Sequence, residues 1–135
     1  IAEGILAGGG TALLRASAAL RKNTLKLSGG ELTGLKVLAE ALESPIKTIC
    51  ENAGQHGAVV ARNVLKEKSP TYGYNALTSE YGDMLKMGIV DPTKVTRTAL
   101  QNAVSVAATL ITTECLIVEA DADDDQADAA HNHAH

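Results

Sequence analysis

Phenylalanine and tryptophan are absent, and three tyrosines are the only aromatic residues in 135. A core for this chain must therefore be built from Leu, Ile, Val and Ala. Cysteine occurs twice, at Cys50 and Cys115, far apart and in apolar surroundings. That spacing is no disulfide framework; it fits two buried thiols of a reducing compartment, and a cytoplasmic location is expected. No apolar run approaches the roughly 18 residues that a membrane span needs, so a soluble chain without a membrane partner is expected. A basic stripe is also missing. Residues 1–118 hold all 12 Lys and Arg against ten of the 16 acids, which gives little footing for nucleic acid. Catalytic signatures are equally scarce: there is no HExxH, no CxxC and no complete P-loop. His56, the one histidine of the body, stands beside Gly57 and reads as a solvated loop residue. No catalytic residue and no resident metal site is assigned.

The length is that of one domain or a piece of one. The chain opens at Ile1 already in apolar rhythm, which reads as a segment cut from something longer, with removal of a leader as the alternative. Ile1 to Ala7 reads as the end of a helix, stopped by Gly8-Gly9-Gly10. The run from Thr11 to Lys22 is a helix with Leu13, Leu14, Ala16 and Leu20 on one broad face. A glycine loop feeding a helix leaves free amides that favour an anion or a ribose-phosphate. For a bare Gly-Gly-Gly, however, a plain helix–turn–helix corner is the simpler reading.

Asn23 to Gly30 is a connector. Leu32, Leu35, Leu38, Leu42, Ile46, Ile49 and Cys50 then recur at helical spacing from Glu31 to about Asn52. Pro45 should divide this stretch, with Ser44 as N-cap and Pro45 at the first helical position; Gly54 closes the pair. Val60, Ala61, Val64 and Leu65 predict a helix over Gly57 to Lys68. From Tyr72 to Pro92 the helical rhythm stops, and all the aromatic residues (Tyr72, Tyr74, Tyr81) lie there. The expectation is a loop folded over protein or a planar ligand, with a short helical turn from Glu80 to Met87 ended by Gly88. Asp91-Pro92 reads as N-cap and first turn of a helix to about Ile111. Val95, Ala99, Ala103, Val106, Ala107 and Leu110 are its expected buried face. Thr112 to Val118 is β-branched and reads as a short strand that needs a partner from elsewhere. Glu119 onward is acidic and low in bulky apolar groups, ending His131-Asn-His-Ala-His135; those histidines could hold a transition metal weakly, adventitious binding being the plainer reading.

Longer motifs narrow this. Gly73-Tyr-Asn-Ala, Glu80-Tyr-Gly-Asp-Met, the run from Met87-Gly-Ile-Val-Asp-Pro to Ala103, and Ile111-Thr-Thr-Glu-Cys closely resemble the bacterial group I chaperonins, the GroEL type. Ala7-Gly-Gly-Gly-Thr-Ala-Leu-Leu-Arg15 resembles the same family in the same order, so the likeness covers essentially residues 1–120. It implies a mainly α fold: the helical bundle of the C-terminal half of the equatorial ATP-binding domain, with a short terminal β-strand, followed by a disordered tail at 121–135. It also implies a nucleotide site. Gly8, Gly9 and Gly10 would lie against the sugar, the backbone of Asn75 and Ala76 would meet the adenine edge, Ile89 would pack on the base, and Asp91 would bind the ribose hydroxyls.

The cofactors implied for the parent protein are ATP and Mg2+. The family's Gly-Asp-Gly-Thr-Thr phosphate and magnesium loop, and its hydrolytic aspartate, are not among these residues. ATPase activity is therefore expected of the parent and not of this segment alone. Implied partners are other chaperonin subunits in a ring, joined through a strand at Glu114 to Val118, with unfolded clients and a co-chaperonin reached through other domains. The His-ended tail resembles that of certain actinobacterial second copies. A helical self-association module without nucleotide function is the competing expectation.

Overall fold

The structure, a computed structural model, describes residues 3–22, 25–114 and 117. They fall into a unit spanning residues 1–101 and a second from 102 onward. In the first unit, α1 (Thr11–Arg21), α2 (Gly29–Ala41), α3 (Ser44–Asn52) and α4 (Gly57–Lys66) follow one another as the sequence pattern leads one to expect. α1 packs on α2, α3 on α4, and α1 also meets α3 and α4. Leu14, Ile46, Cys50, Val60, Ala61 and Val64 form the core, joined by a single aromatic ring, Tyr74. Cys50 is a free, buried thiol whose pKa burial pushes up, helped by Glu51. Its apolar setting makes it a packing group rather than a nucleophile.

Pro45 does divide α2 from α3, but Ser44 is the first residue of α3 and not its cap. The reason lies in the bend itself. Leu42 (φ −66°, ψ −16°) and Glu43 (φ −83°, ψ −18°) both keep helical dihedrals, so the chain turns without the extended residue that a capping serine would supply. Glu43 then fastens the bend. Its Oε1 accepts from Ser17 Oγ at 3.2 Å and Arg21 Nη2 at 2.7 Å, and its Oε2 pairs with Lys47 Nζ at 2.8 Å. Burial alone would raise the Glu43 pKa; hydrogen bonds from Lys47 and Arg21 outweigh that and hold it below the usual carboxylate range.

Two short antiparallel ladders complete the unit. β1 (Ile5–Ala7) pairs with β4 (Val90–Pro92), Leu6 facing Asp91; β2 (Tyr72–Asn75) pairs with β3 (Glu80–Asp83), Tyr74 facing Tyr81. The helix end expected before Gly8 is therefore a strand. The tyrosine segment is a hairpin rather than an open loop, and its second half, expected as a helical turn from Glu80, is strand to Asp83 and turns only afterwards. Asp83 makes that switch: its Oδ1 accepts the amides of Leu85 (3.0 Å) and Lys86 (3.1 Å), while Oδ2 accepts from Thr71 Oγ1 at 2.8 Å. Gly88 closes the turn with φ +73°.

α5 runs Thr93–Ile111. It begins one residue later than expected, because Asp91 and Pro92 belong to β4 and the Thr93 amide is satisfied by the Gly4 carbonyl at 3.1 Å. Asp91 is thus not the cap of this helix. The expected buried face is also corrected: no residue of α5 is buried, with Val95 62%, Val106 60% and Leu110 52% exposed, and Ala99, Ala103 and Ala107 exposed as well. Periodicity reports which face of a helix is apolar; it does not supply a partner to cover it. In the second unit, Thr112 and Thr113 do not open the expected strand. Their hydroxyls bond back to Ala108 O and Thr109 O, finishing the helix. The rest of that strand (Cys115, Leu116, Val118), the tail at 121–135 and its histidines lie outside the described residues. Among the described residues no helix is long and apolar enough to cross a membrane.

Candidate functional site

The candidate residues come from three separate stretches, and the β1–β4 ladder brings two of them together. β1 delivers the chain into Gly8–Gly10; in its partner β4, Val90 faces Ala7 and Asp91 faces Leu6, with Ile89 just before the strand. The Gly8 amide donates to the Ile89 carbonyl at 3.0 Å, so the glycine loop is bonded directly to the residue before β4. A Cβ on Gly8 would lie 3.1 Å from the Ile89 carbonyl carbon, the Ile89 oxygen and the Val90 nitrogen, all backbone atoms that cannot yield. Gly9, at φ +63°, looks the other way: a Cβ there would meet Met84 Cε at 3.2 Å, the Tyr74 carbonyl at 3.6 Å and Ile89 Cγ2 at 3.9 Å. One residue thus touches both the hairpin and the Ile89 side chain.

Gly10 turns the loop into α1. It takes the cap position with φ +77°, ψ 0°, and its carbonyl accepts from the Leu14 amide at 3.0 Å. No side chain caps α1, so the loop's own backbone shapes that helix start.

Asn75 ends β2. Its Oδ1 accepts the amides of Leu77 (3.0 Å) and Thr78 (3.3 Å), so its side chain is spent on folding the hairpin tip while its backbone pairs with Glu80. Ala76 packs its methyl on the core. Leu77, next along, is 94% exposed. Behind the tip the hairpin is stiffened by its rings: Tyr74 and Tyr81 have centroids 4.8 Å apart at 57°, and Tyr72 stacks on Tyr81 at 6.3 Å. The Tyr81 hydroxyl accepts from Asn63 Nδ2 at 3.3 Å, tying the hairpin to α4. The tyrosines hold the segment in place, as their sequence position suggests.

Ile89 and Asp91 are partly exposed, and the Asp91 carboxylate has no hydrogen bond among the described residues. Asp91 faces Leu6 in the ladder, and a free carboxylate is able to accept two neighbouring hydroxyls. No group of three or more His, Cys, Asp or Glu suited to a metal occurs among the described residues. Met84 was not legible as part of this place. It is fully buried, with Cε against Gly9 and Sδ against Gly73, and so fills the gap between loop and hairpin. Nothing in a lone methionine's position announces this. Two cavities, one of about 460 Å3 between α2 and α3 around Lys47 and Glu51 and one of about 370 Å3 between α1 and α2 around Leu20 and Leu35, involve none of the candidate residues.

Comparison with known proteins follows the same outline. The TCP-1/cpn60 chaperonin family matches residues 1–121. Among solved structures, the chain is similar to the open-state monomer of a group II chaperonin from Methanococcoides burtonii, with 24% identity and a TM-score of 0.75. That similarity covers 81% of this chain and only 28% of the other, and at such identity it speaks for the fold.

Proposed function

This chain belongs to the TCP-1/cpn60 chaperonin family, and from that premise we propose that it is the C-terminal part of a chaperonin's equatorial ATP-binding domain. In this reading residues 1–120 supply the sugar and base side of a nucleotide site, and 121–135 form a tail. The observation that supports it is the bond from the Gly8 amide to the Ile89 carbonyl, together with the closeness of Gly9 to Ile89 and to the Tyr74 carbonyl just before Asn75.

The residues divide the work by chemistry. Gly9 lacks a side chain where Met84, Tyr74 and Ile89 crowd it, which lets the loop lie close to the hairpin and keeps its bare backbone for the sugar. Asp91 offers a free acceptor for ribose hydroxyls, Ile89 an apolar surface for a base, and the Asn75–Ala76 backbone hydrogen bonds for its edge. ATP and Mg2+ are the cofactors of the complete protein, whose phosphate and metal ligands lie outside these residues. The group I assignment, the likeness of the tail to actinobacterial second copies, ring partners, client proteins, a co-chaperonin and a cytoplasmic site all belong to this proposal.

The test is ATP affinity, by calorimetry, in the complete chaperonin carrying Gly9→Ala or Asp91→Ala. Each is expected to weaken ATP by about tenfold, the loss of one good contact of about 1.4 kcal/mol. Unchanged affinity in both variants refutes the reading. The exposed apolar face of α5 favours a second reading, a module that associates through helices. Light scattering on the isolated chain distinguishes it, since a strict monomer at high concentration excludes that role.

A further inference from the structure

One face of α1 is given over to the hairpin. Thr11 and Arg15 are four residues apart and so stand one above the other on that face. Thr11 is fully buried, and a Cβ added at Gly73 would run into its Oγ1, so β2 sits on α1 with no room to spare. The Thr11 hydroxyl has no hydrogen-bond partner among the described residues, which makes this a contact of fit and not of polar bonding.

The polar bonding comes a turn later. Arg15 Nη1 donates to Glu67 O at 2.7 Å, and Nη2 donates to Val64 O at 2.9 Å and Tyr72 O at 3.1 Å. Val64 is in the last turn of α4, its carbonyl also accepting the Glu67 amide at 3.3 Å; Glu67 follows the helix, and Tyr72 opens β2. One planar fork therefore joins three elements. A lysine ammonium, a single point of charge on a flexible stem, does not reproduce that geometry. Burial lowers the Arg15 pKa, partly offset by Glu67, and its Nε is buried without a partner among the described residues. The fork's placement is thus costly and specific.

α1 starts just after Gly10, and β2 ends at Asn75. We propose that Arg15 is a positioning residue for the nucleoside half of the site, holding the hairpin tip at a fixed spacing from the glycine loop. Arg15 itself touches no ligand; it acts through the Tyr72 carbonyl and the strand that follows. The inference rests on the nucleotide reading above.

The experiment measures the affinity of the complete chaperonin for ATP with magnesium and, separately, for inorganic tripolyphosphate with magnesium. The proteins are the parent, Arg15→Lys and Arg15→Met. The expected result is a loss of about tenfold or more for ATP with tripolyphosphate unchanged, Arg15→Met being worse than Arg15→Lys. If Arg15→Met does not fold, Arg15→Lys carries the test alone. Unchanged ATP affinity in a folded Arg15→Lys protein overturns the proposal, as does an equal loss for both ligands, which marks a purely structural role. A parent protein that binds tripolyphosphate no less tightly than ATP removes the nucleoside site itself, and the nucleotide reading falls before Arg15 is considered.

Discussion

Gly10→Ala separates two costs that usually travel together. The residue has φ +77°, where an alanine is strained by roughly 1–2 kcal/mol. A Cβ there would also lie 2.7 Å from the Ile46 backbone nitrogen and 2.9 Å from its Cα, so no rotamer change relieves the clash. Displacing α3 against α1 adds about 1–3 kcal/mol, the usual range for overpacking. The total, about 2–5 kcal/mol, is a large part of a marginal stability of about 5–15 kcal/mol. Gly54→Ala is the control: Gly54 has φ +75°, yet nothing lies within 4 Å of its added Cβ. It should show the dihedral cost alone. Urea unfolding followed by circular dichroism measures both, through the midpoint at unchanged slope. Equal midpoint shifts for the two variants would falsify the claim that Ile46 crowds the loop.

Other expectations follow from the same contacts. On the proposed nucleotide reading, the isolated chain should show no ATP turnover and no ATP binding at micromolar concentrations, since none of the candidate residues offers a phosphate a positive charge; turnover or micromolar affinity in calorimetry contradicts this. Glu43, whose folded pKa lies below its unfolded value, stabilises the chain above the ordinary glutamate range, and that contribution is lost as pH falls through the lowered pKa. Glu43→Gln should thus be less stable at neutral pH and show a flatter acid limb; a parallel limb argues against the Arg21–Lys47 cluster. Tyr74→Ala, removing the one aromatic ring of the core, should cost about 3–5 kcal/mol, whereas Tyr81→Ala on the exposed side should cost clearly less. Comparable losses from the two would mean that the ring cluster, not burial, is the anchor.

The helices were readable because Leu35, Leu38, Leu42, Ile46 and Cys50 repeat at a spacing that only a helix puts on one side. β1 and β4 were not. Each is three residues long, and Ile5 finds Pro92 across nearly the whole of the first unit, a pairing to which no local pattern refers. That missing ladder explains the misplaced cap as well, since Asp91 was read against the helix after it and not the strand opposite. The hairpin hid behind Gly73 and Gly82, which face each other and carry no alternation. Arg15 was silent for a different reason. On a helical wheel an arginine marks the wet side, and only the arrangement of α4 and β2 turns it inward. The candidate residues themselves came from resemblance to a family; their spacing alone left Gly8–Gly10 as a corner and Asp91 as a cap.

With no tryptophan in the chain, and all three tyrosines in one hairpin, ultraviolet emission from this segment has a single address. Circular dichroism will follow the helices, while tyrosine fluorescence follows the strand pair that ends in Asn75. A change in one signal without the other would date the loosening of that hairpin separately from the melting of the bundle, with no label added.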